Sequence, residues 1–126
     1  MRILKTKLFH RWAKKNQLND DALIKAINEI EEGLVDVDLG SHIYKKRIAT
    51  KGKGKSGSVR TVLAYKTKNR AFFLYVFEKK QRDNISEKEI QALKIFGAYL
   101  LKLTDRQIDD KIKEGSLLEI NNEAGQ

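Results

Sequence analysis

Apolar side chains recur along this chain with two different periods, and the change of period divides it into blocks. Between Arg2 and Leu8, Ile3, Lys5 and Lys7 alternate with Leu4, Thr6 and Leu8, which suits a half-buried strand. Phe9 to Asn16 reads as a short helix with Trp12 and Ala13 turned inward. Leu18-Asn19-Asp20-Asp21 then carries the marks of a helix start. Asn19 can cap, two acids sit where backbone N–H groups lack partners, and Leu18 can staple onto Leu23. Leu23, Ala26, Ile27, Ile30 and Leu34 follow at helical spacing, predicting an amphipathic helix from Asp20 to Gly33 or Leu34. Lys25, Glu29 and Glu32 form its outer face.

From His42 the period becomes two. Ile43 to Ala49, Val59 to Lys66 and Ala71 to Glu78 are runs rich in β-branched and aromatic residues, separated by turn-forming Gly, Lys, Ser and Asn. They predict a three-stranded antiparallel meander. The run Ala71 to Phe77 is apolar at nearly every position, marking the most buried strand. Ser86-Glu87-Lys88-Glu89 has capping-box spacing and opens a helix whose inner stripe is Ile90, Leu93, Phe96, Gly97, Leu100 and Leu101. Thr104 to Gln107 repeats the box, and a second helix is expected to about Glu114, with Gly115 as its stop. The order predicts an α+β fold: an antiparallel, mixed-edge sheet of about four strands with helices packed on one face. Residues 1–120 are expected to form one domain and 121–126 a frayed tail.

Composition narrows what such a domain can do. The 126 residues are 40 % apolar, enough for one modest core, and contain no cysteine, so neither disulfides nor thiolate metal sites arise. No apolar run suits a signal peptide or a membrane span, and a cytoplasmic location is expected. The net charge is +9, and it is unevenly placed: Ser41 to Arg82 holds thirteen Lys or Arg against one acid, Glu78. A polyanionic partner is the expected counterpart of that middle third.

Several familiar motifs fail on context. Gly52, Gly54 and Gly57 match the glycine spacing of a dinucleotide loop, and Gly54-Lys55-Ser56 imitates the end of a phosphate-binding loop. Both mechanisms need a helix N-terminus to receive the phosphates, whereas this loop leads into a strand. His10 and His42 are isolated from carboxylates at ligand spacing, so no metal is expected. No local Ser and His pairing suggests a nucleophile. No cofactor is expected either.

What remains is a set of cations. Lys45, Lys46 and Arg47 lie on the first strand of the meander, Arg60 on the second, and Lys79, Lys80 and Arg82 just after the third. On neighbouring strands several of these can converge. Lys51, Lys53 and Lys55 in the glycine loop can clamp phosphates, or simply keep a mobile loop soluble. A merely solvated basic face is the plain alternative, but like charges crowded on one sheet destabilise it unless a partner compensates. Such a patch can cleave RNA without metal, since attack by a 2′-hydroxyl needs a base, positive charge for the pentavalent intermediate, and an acid for the leaving oxygen. Lysine among cations suits the base, and arginine suits phosphate oxygens. Tyr44, Tyr65 and Tyr75 can stack on bases or pack in the core.

Taken together, His42 to Arg47, Gly54 to Thr61 and Phe72 to Ile85, with Phe9 to Ala13, Glu32-Gly33-Leu34 and Asp38-Leu39-Gly40, resemble the RelE-like or HigB-like branch of the RelE/ParE toxin superfamily over residues 2–118. The resemblance implies a microbial-RNase-like sheet and metal-independent cleavage of mRNA in the ribosomal A site. It also implies a cognate antitoxin, often a helix-turn-helix protein, with operator DNA contacted through the complex. Carried onto this chain, it implies a catalytic set of Lys46, Arg47, Arg60, Lys79 and Arg82. Lys45, Lys53, Lys55 and Lys80 are the expected RNA contacts. Among these residues, Arg60 is expected to stabilise transition-state charge, Lys79 or Arg82 to meet the leaving group and phosphate, and Lys46 or Lys55 to act as base. Asn84 and Ile85 stand where many relatives carry Tyr or His after the last basic pair, which leaves the general acid unassigned. Two rival activities share the fold or the charge: gyrase poisoning of the ParE kind, and nucleic-acid binding without catalysis.

Overall fold

The computed structural model describes residues 1–50, 58–78 and 85–120. Strand β1 (Arg2–Thr6) runs directly into helix α1 (Lys7–Lys15), and α2 (Asp20–Glu31) follows. Next come β2 (Val37–Gly40), β3 (Ile43–Ala49), β4 (Ser58–Lys66) and β5 (Arg70–Phe77). Helices α3 (Glu87–Leu101) and α4 (Asp105–Lys113) and strand β6 (Leu117–Ile120) complete the described chain. Every helix starts where its sequence supplies an oxygen for unpaired N–H groups. The Thr6 hydroxyl accepts from Phe9 N–H and the Asn19 side chain from Ala22 N–H. Both predicted capping boxes form, Ser86 with Glu89 and Thr104 with Gln107. Gly115 takes the positive φ of 88° expected of a helix stop.

The α+β class and the β3–β4–β5 meander stand as expected, and two points are corrected. Among the described residues the sheet has six strands, in the order β2-β3-β4-β5-β1-β6, rather than about four. Strands β2 and β6 are each only four residues long, and β2 is largely exposed, so neither carries a clear period-two signal. All neighbouring pairs are antiparallel except β1 with β5, which are parallel.

The helices also pack on both faces of the sheet rather than on one. Residues alternating along the strands fall into two separate cores. Tyr44 and Ile48, Val59, Leu63 and Tyr65, and Ala71 and Phe73 pack with α1 and α2 through Phe9, Ala13, Leu23, Ile27 and Ile30. Ile43, Val62, Ala64, Phe72 and Leu74 pack with α3 and α4 through Leu100 and Ile108. The sequence cause is visible in β4 and β5, which are buried on both sides, a condition that requires a layer on each face. Phe9 and Phe73 meet at 5.2 Å between ring centroids under the first layer. Over the other face α3 lies close to the strands at Gly97, where an added Cβ would stand 2.5 Å from Ile43 Cδ1 and 3.3 Å from Ala64 Cβ.

The outer end of the sheet is tied by charge. Arg2 on β1 pairs with Glu119 on β6 at 2.8 Å and with Asp109 on α4 at 2.8 Å, and Arg70 on β5 reaches Asp105 at 3.2 Å.

Candidate nucleic-acid interface

Residues directly opposite one another in an antiparallel pair project from the same face. The register sets Arg47 of β3 opposite Arg60 of β4, and Arg60 opposite Phe77 of β5. The next row is Lys45, Val62 and Tyr75. Both rows project on the α3 side, because Ile43 and Val62, which share their parity along β3 and β4, lie in the core beneath α3. A further row, Ile43 with Ala64, is where α3 covers the sheet at Gly97. The cations therefore occupy the stretch of this face beyond the helix contact. Arg47 is exposed, and Lys45, Arg60 and Tyr75 are half-buried.

Arg47 and Arg60 thus sit on adjacent strands roughly 5 Å apart. Two guanidinium groups cannot relieve each other by deprotonation, since arginine stays charged. Their shared row therefore favours an anion held between them, and planar forks suit phosphate oxygens. Tyr75 lies beside Phe77, with ring centroids 5.9 Å apart, giving the edge of the patch an aromatic surface.

Lys46 goes elsewhere, which corrects its expected place in this patch. As the residue between Lys45 and Arg47 it must point to the opposite face. There it is 7 % exposed, donates to the Leu34 carbonyl at 2.9 Å and pairs with Glu29 at 2.8 Å. Glu29, expected on the outer face of its helix, is instead the inward partner of this lysine. The Lys46 ammonium, donating to it, holds the Glu29 carboxyl below the usual carboxylate range against the opposing effect of burial. Thr61 belongs to the same face, its hydroxyl donating to the Lys46 carbonyl at 2.8 Å. Tyr44 and Tyr65 also lie there, in an edge-to-face contact at 6.1 Å, and burial pushes the Tyr65 hydroxyl up from its ordinary value. Of the three tyrosines considered for base stacking, the sheet gives Tyr75 alone to the cation face.

One contributor had no signal in the sequence. The Asp36 carboxylate accepts from the Arg47 backbone N–H, and the Asp36 N–H donates to the Lys45 carbonyl at 3.2 Å. Asp36 thereby fixes the backbone that carries Lys45 and Arg47, the two β3 cations on the patch face. Its role depends on β2, whose shortness hid it.

The remaining expected contacts, Lys53, Lys55, Lys79, Lys80 and Arg82, lie outside the described residues. Among the described residues no cluster of three or more His, Asp or Glu side chains is placed to hold a metal ion. No described helix is long and apolar enough to cross a membrane.

Comparison with known proteins gives the family. No curated protein matches the chain. The family model described as RelE toxin of RelE / RelB toxin-antitoxin system matches residues 1–120, the span that holds the described strands and helices. The chain belongs to the RelE toxin family, and is the toxin partner of a toxin–antitoxin pair.

Proposed function

We propose that this toxin is a metal-independent endoribonuclease that cleaves mRNA on the ribosome. The observation that carries the proposal is the Arg47–Arg60 row, two permanent cations on neighbouring strands beside Lys45 and Tyr75 on one face. In this reading Arg60 stabilises charge on the pentavalent phosphorus and Arg47 holds a non-bridging oxygen. Lys45 follows the RNA backbone, and Tyr75 offers a ring to a base. Lys46 is left out of the reacting set, because its ammonium is committed to Glu29 and Leu34. Lys55 is then the proposed base, Lys79 or Arg82 the group that meets the leaving oxygen, and Lys53 and Lys80 further RNA contacts. The partners are the ribosomal A site with its message and an antitoxin, proposed to be of the helix-turn-helix kind, through which operator DNA is met. The setting is the cytoplasm.

Purified protein incubated with ribosomes programmed with message, with 5′ ends mapped, tests this directly. Cleavage is expected with ribosomes and not with naked RNA, leaving a 2′,3′-cyclic phosphate on the upstream fragment, as attack by the 2′-hydroxyl requires. Arg60→Ala is expected to lower the rate by about 100-fold or more, the usual cost of removing a charge-stabilising group. Intact message with gyrase-linked DNA breaks would replace the proposal by the ParE-like activity. RNA binding without product would reduce it to a binding module.

A further inference from the structure

Helix α3 has two apolar sides, and only one is used by the fold. Gly97 and Leu100 face the sheet and are buried. On the opposite side Ile95 is 73 % and Tyr99 48 % exposed, and Phe96, expected in the inner stripe, is turned outward at 41 % exposed; Ala92 is exposed with them. Positions 92, 95, 96 and 99 have the i, i+3, i+4, i+7 spacing of a helix-packing seam. Phe96 and Tyr99 are stacked on each other at 6.5 Å, so they already present one continuous apolar surface. Such a seam is expected to be covered.

The charges around it say by what. One turn before Ala92 the same side of the helix carries Lys88, and one turn after Tyr99 it carries Lys102, both exposed and both without an ion pair among the described residues. Lys111 of α4 reaches over the Tyr99 ring at 5.7 Å. The seam is therefore apolar in the middle and basic at both ends, with about 21 Å between the two lysine positions at 1.5 Å per residue. A second copy of this chain, packed antiparallel on the seam, would bring Lys88 against Lys102, and each chain carries +9; self-pairing is opposed. A helix with an apolar stripe and acids about fourteen residues apart fits both features.

We infer that the outward face of α3 is the docking surface for an acidic amphipathic helix of the antitoxin. The partner's identity as an antitoxin rests on the toxin reading above; the surface and the chemistry that fits it rest on α3. Docking there uses none of the residues in the arginine row.

The test uses the full chain and the protein encoded beside its gene, co-expressed, separated and remixed, with affinity read by calorimetry. Ile95→Glu is expected to weaken binding at least 100-fold, and the Lys88→Glu, Lys102→Glu double change at least 10-fold. The double change touches no buried group and keeps the test valid if Ile95→Glu unfolds the chain. Reversing the bracketing acids of the antitoxin helix should restore affinity to the double variant. Ribosome-dependent cleavage by each folded variant should match wild type while resisting the antitoxin. Unchanged affinity in the double variant overturns the inference, as does protection of an antitoxin segment that is not helical. So does a dimer of this chain alone that the α3 changes dissolve. Absence of cleavage by wild type would fail the nuclease reading, while the affinities would still decide the docking surface.

Discussion

Arg47, Lys46 and Lys45 are consecutive, yet they divide between two jobs because a strand turns successive side chains to opposite faces. Lys46 acts as a strut from β3 to the C-terminal end of α2. Lys46→Met is expected to lower stability by about 1–3 kcal/mol, since it leaves a carbonyl and a partly exposed carboxylate without their donor. Urea denaturation measures that loss, and cleavage per folded molecule should stay near wild type, in contrast with Arg60→Ala. A large loss of cleavage by folded Lys46→Met would return this lysine to the reacting set. The pair also has a pH signature. Glu29 is held below its ordinary value of 4.5, so its contribution is fully present at neutral pH. It is lost as pH falls below about 4.5 through the lower folded value. Acid unfolding followed by circular dichroism should show a steeper limb in wild type than in Glu29→Gln.

At the scale of elements, Gly97 is the point where α3 is fitted to the sheet. A methyl group there meets Ile43 at 2.5 Å and Ala64 at 3.3 Å, so the roughly 1 kcal/mol that alanine gains in helix propensity is opposed by overpacking. Gly97→Val is expected to destabilise by about 1–3 kcal/mol or more, and more than Gly97→Ala, by thermal melting. A neutral Gly97→Val would mean that α3 is more loosely seated than its contacts indicate. Most of the elements were legible in the sequence because their signals are local. Asn19, Ser86 and Thr104 announce helix starts, and the β-branched runs announce β3 to β5. Strands β2 and β6 were not legible, since four-residue strands are specified by the partner they pair with. The two-sided packing of helices was hinted at only by the runs of apolar residues in β4 and β5. Within the site, the Arg47–Arg60 row needed a register, which no single strand contains. The places of Asp36 and Glu29 needed the contact between α2, β2 and β3.

For the whole molecule, charge sets the behaviour in solution. With +9 overall and the excess in the middle third, RNA affinity should fall steeply as salt rises. Arg47→Ala and Arg60→Ala should each flatten the log–log slope by about 0.7 if each neutralises one phosphate of a single strand. Fluorescence anisotropy over a salt series reads this, and unchanged slopes would remove the arginine row from the interface. A second dependence arises away from that face. Buried Lys5 on β1 bonds Asp20 at 2.8 Å and His10 Nδ1 at 3.0 Å. Burial first, and then Lys5 and Lys14, lower His10 from its ordinary 6.5. The unfolded chain therefore takes a proton before the folded one does, and stability should decline as pH falls below about 6.5. His10→Gln should melt with a flatter pH profile over that range.

The position of β1 has a bearing on how the toxin comes to exist. Strand β1 is clasped between β5 and β6, paired with residues 70–73 on one side and 117–120 on the other. Its Ile3 and Leu4 are buried in different cores, so its place in the sheet is completed only by residues close to the end of the described chain. Pairings of such long sequence separation form late. During synthesis β1 must wait for more than a hundred further residues before it is enclosed on both sides. The complete sheet is thereby expected to exist only after residues 117–120 have been added. A chain stopped at Ser116 should leave β1 open at that edge and be strongly destabilised, which expression and urea denaturation of the truncated form will show.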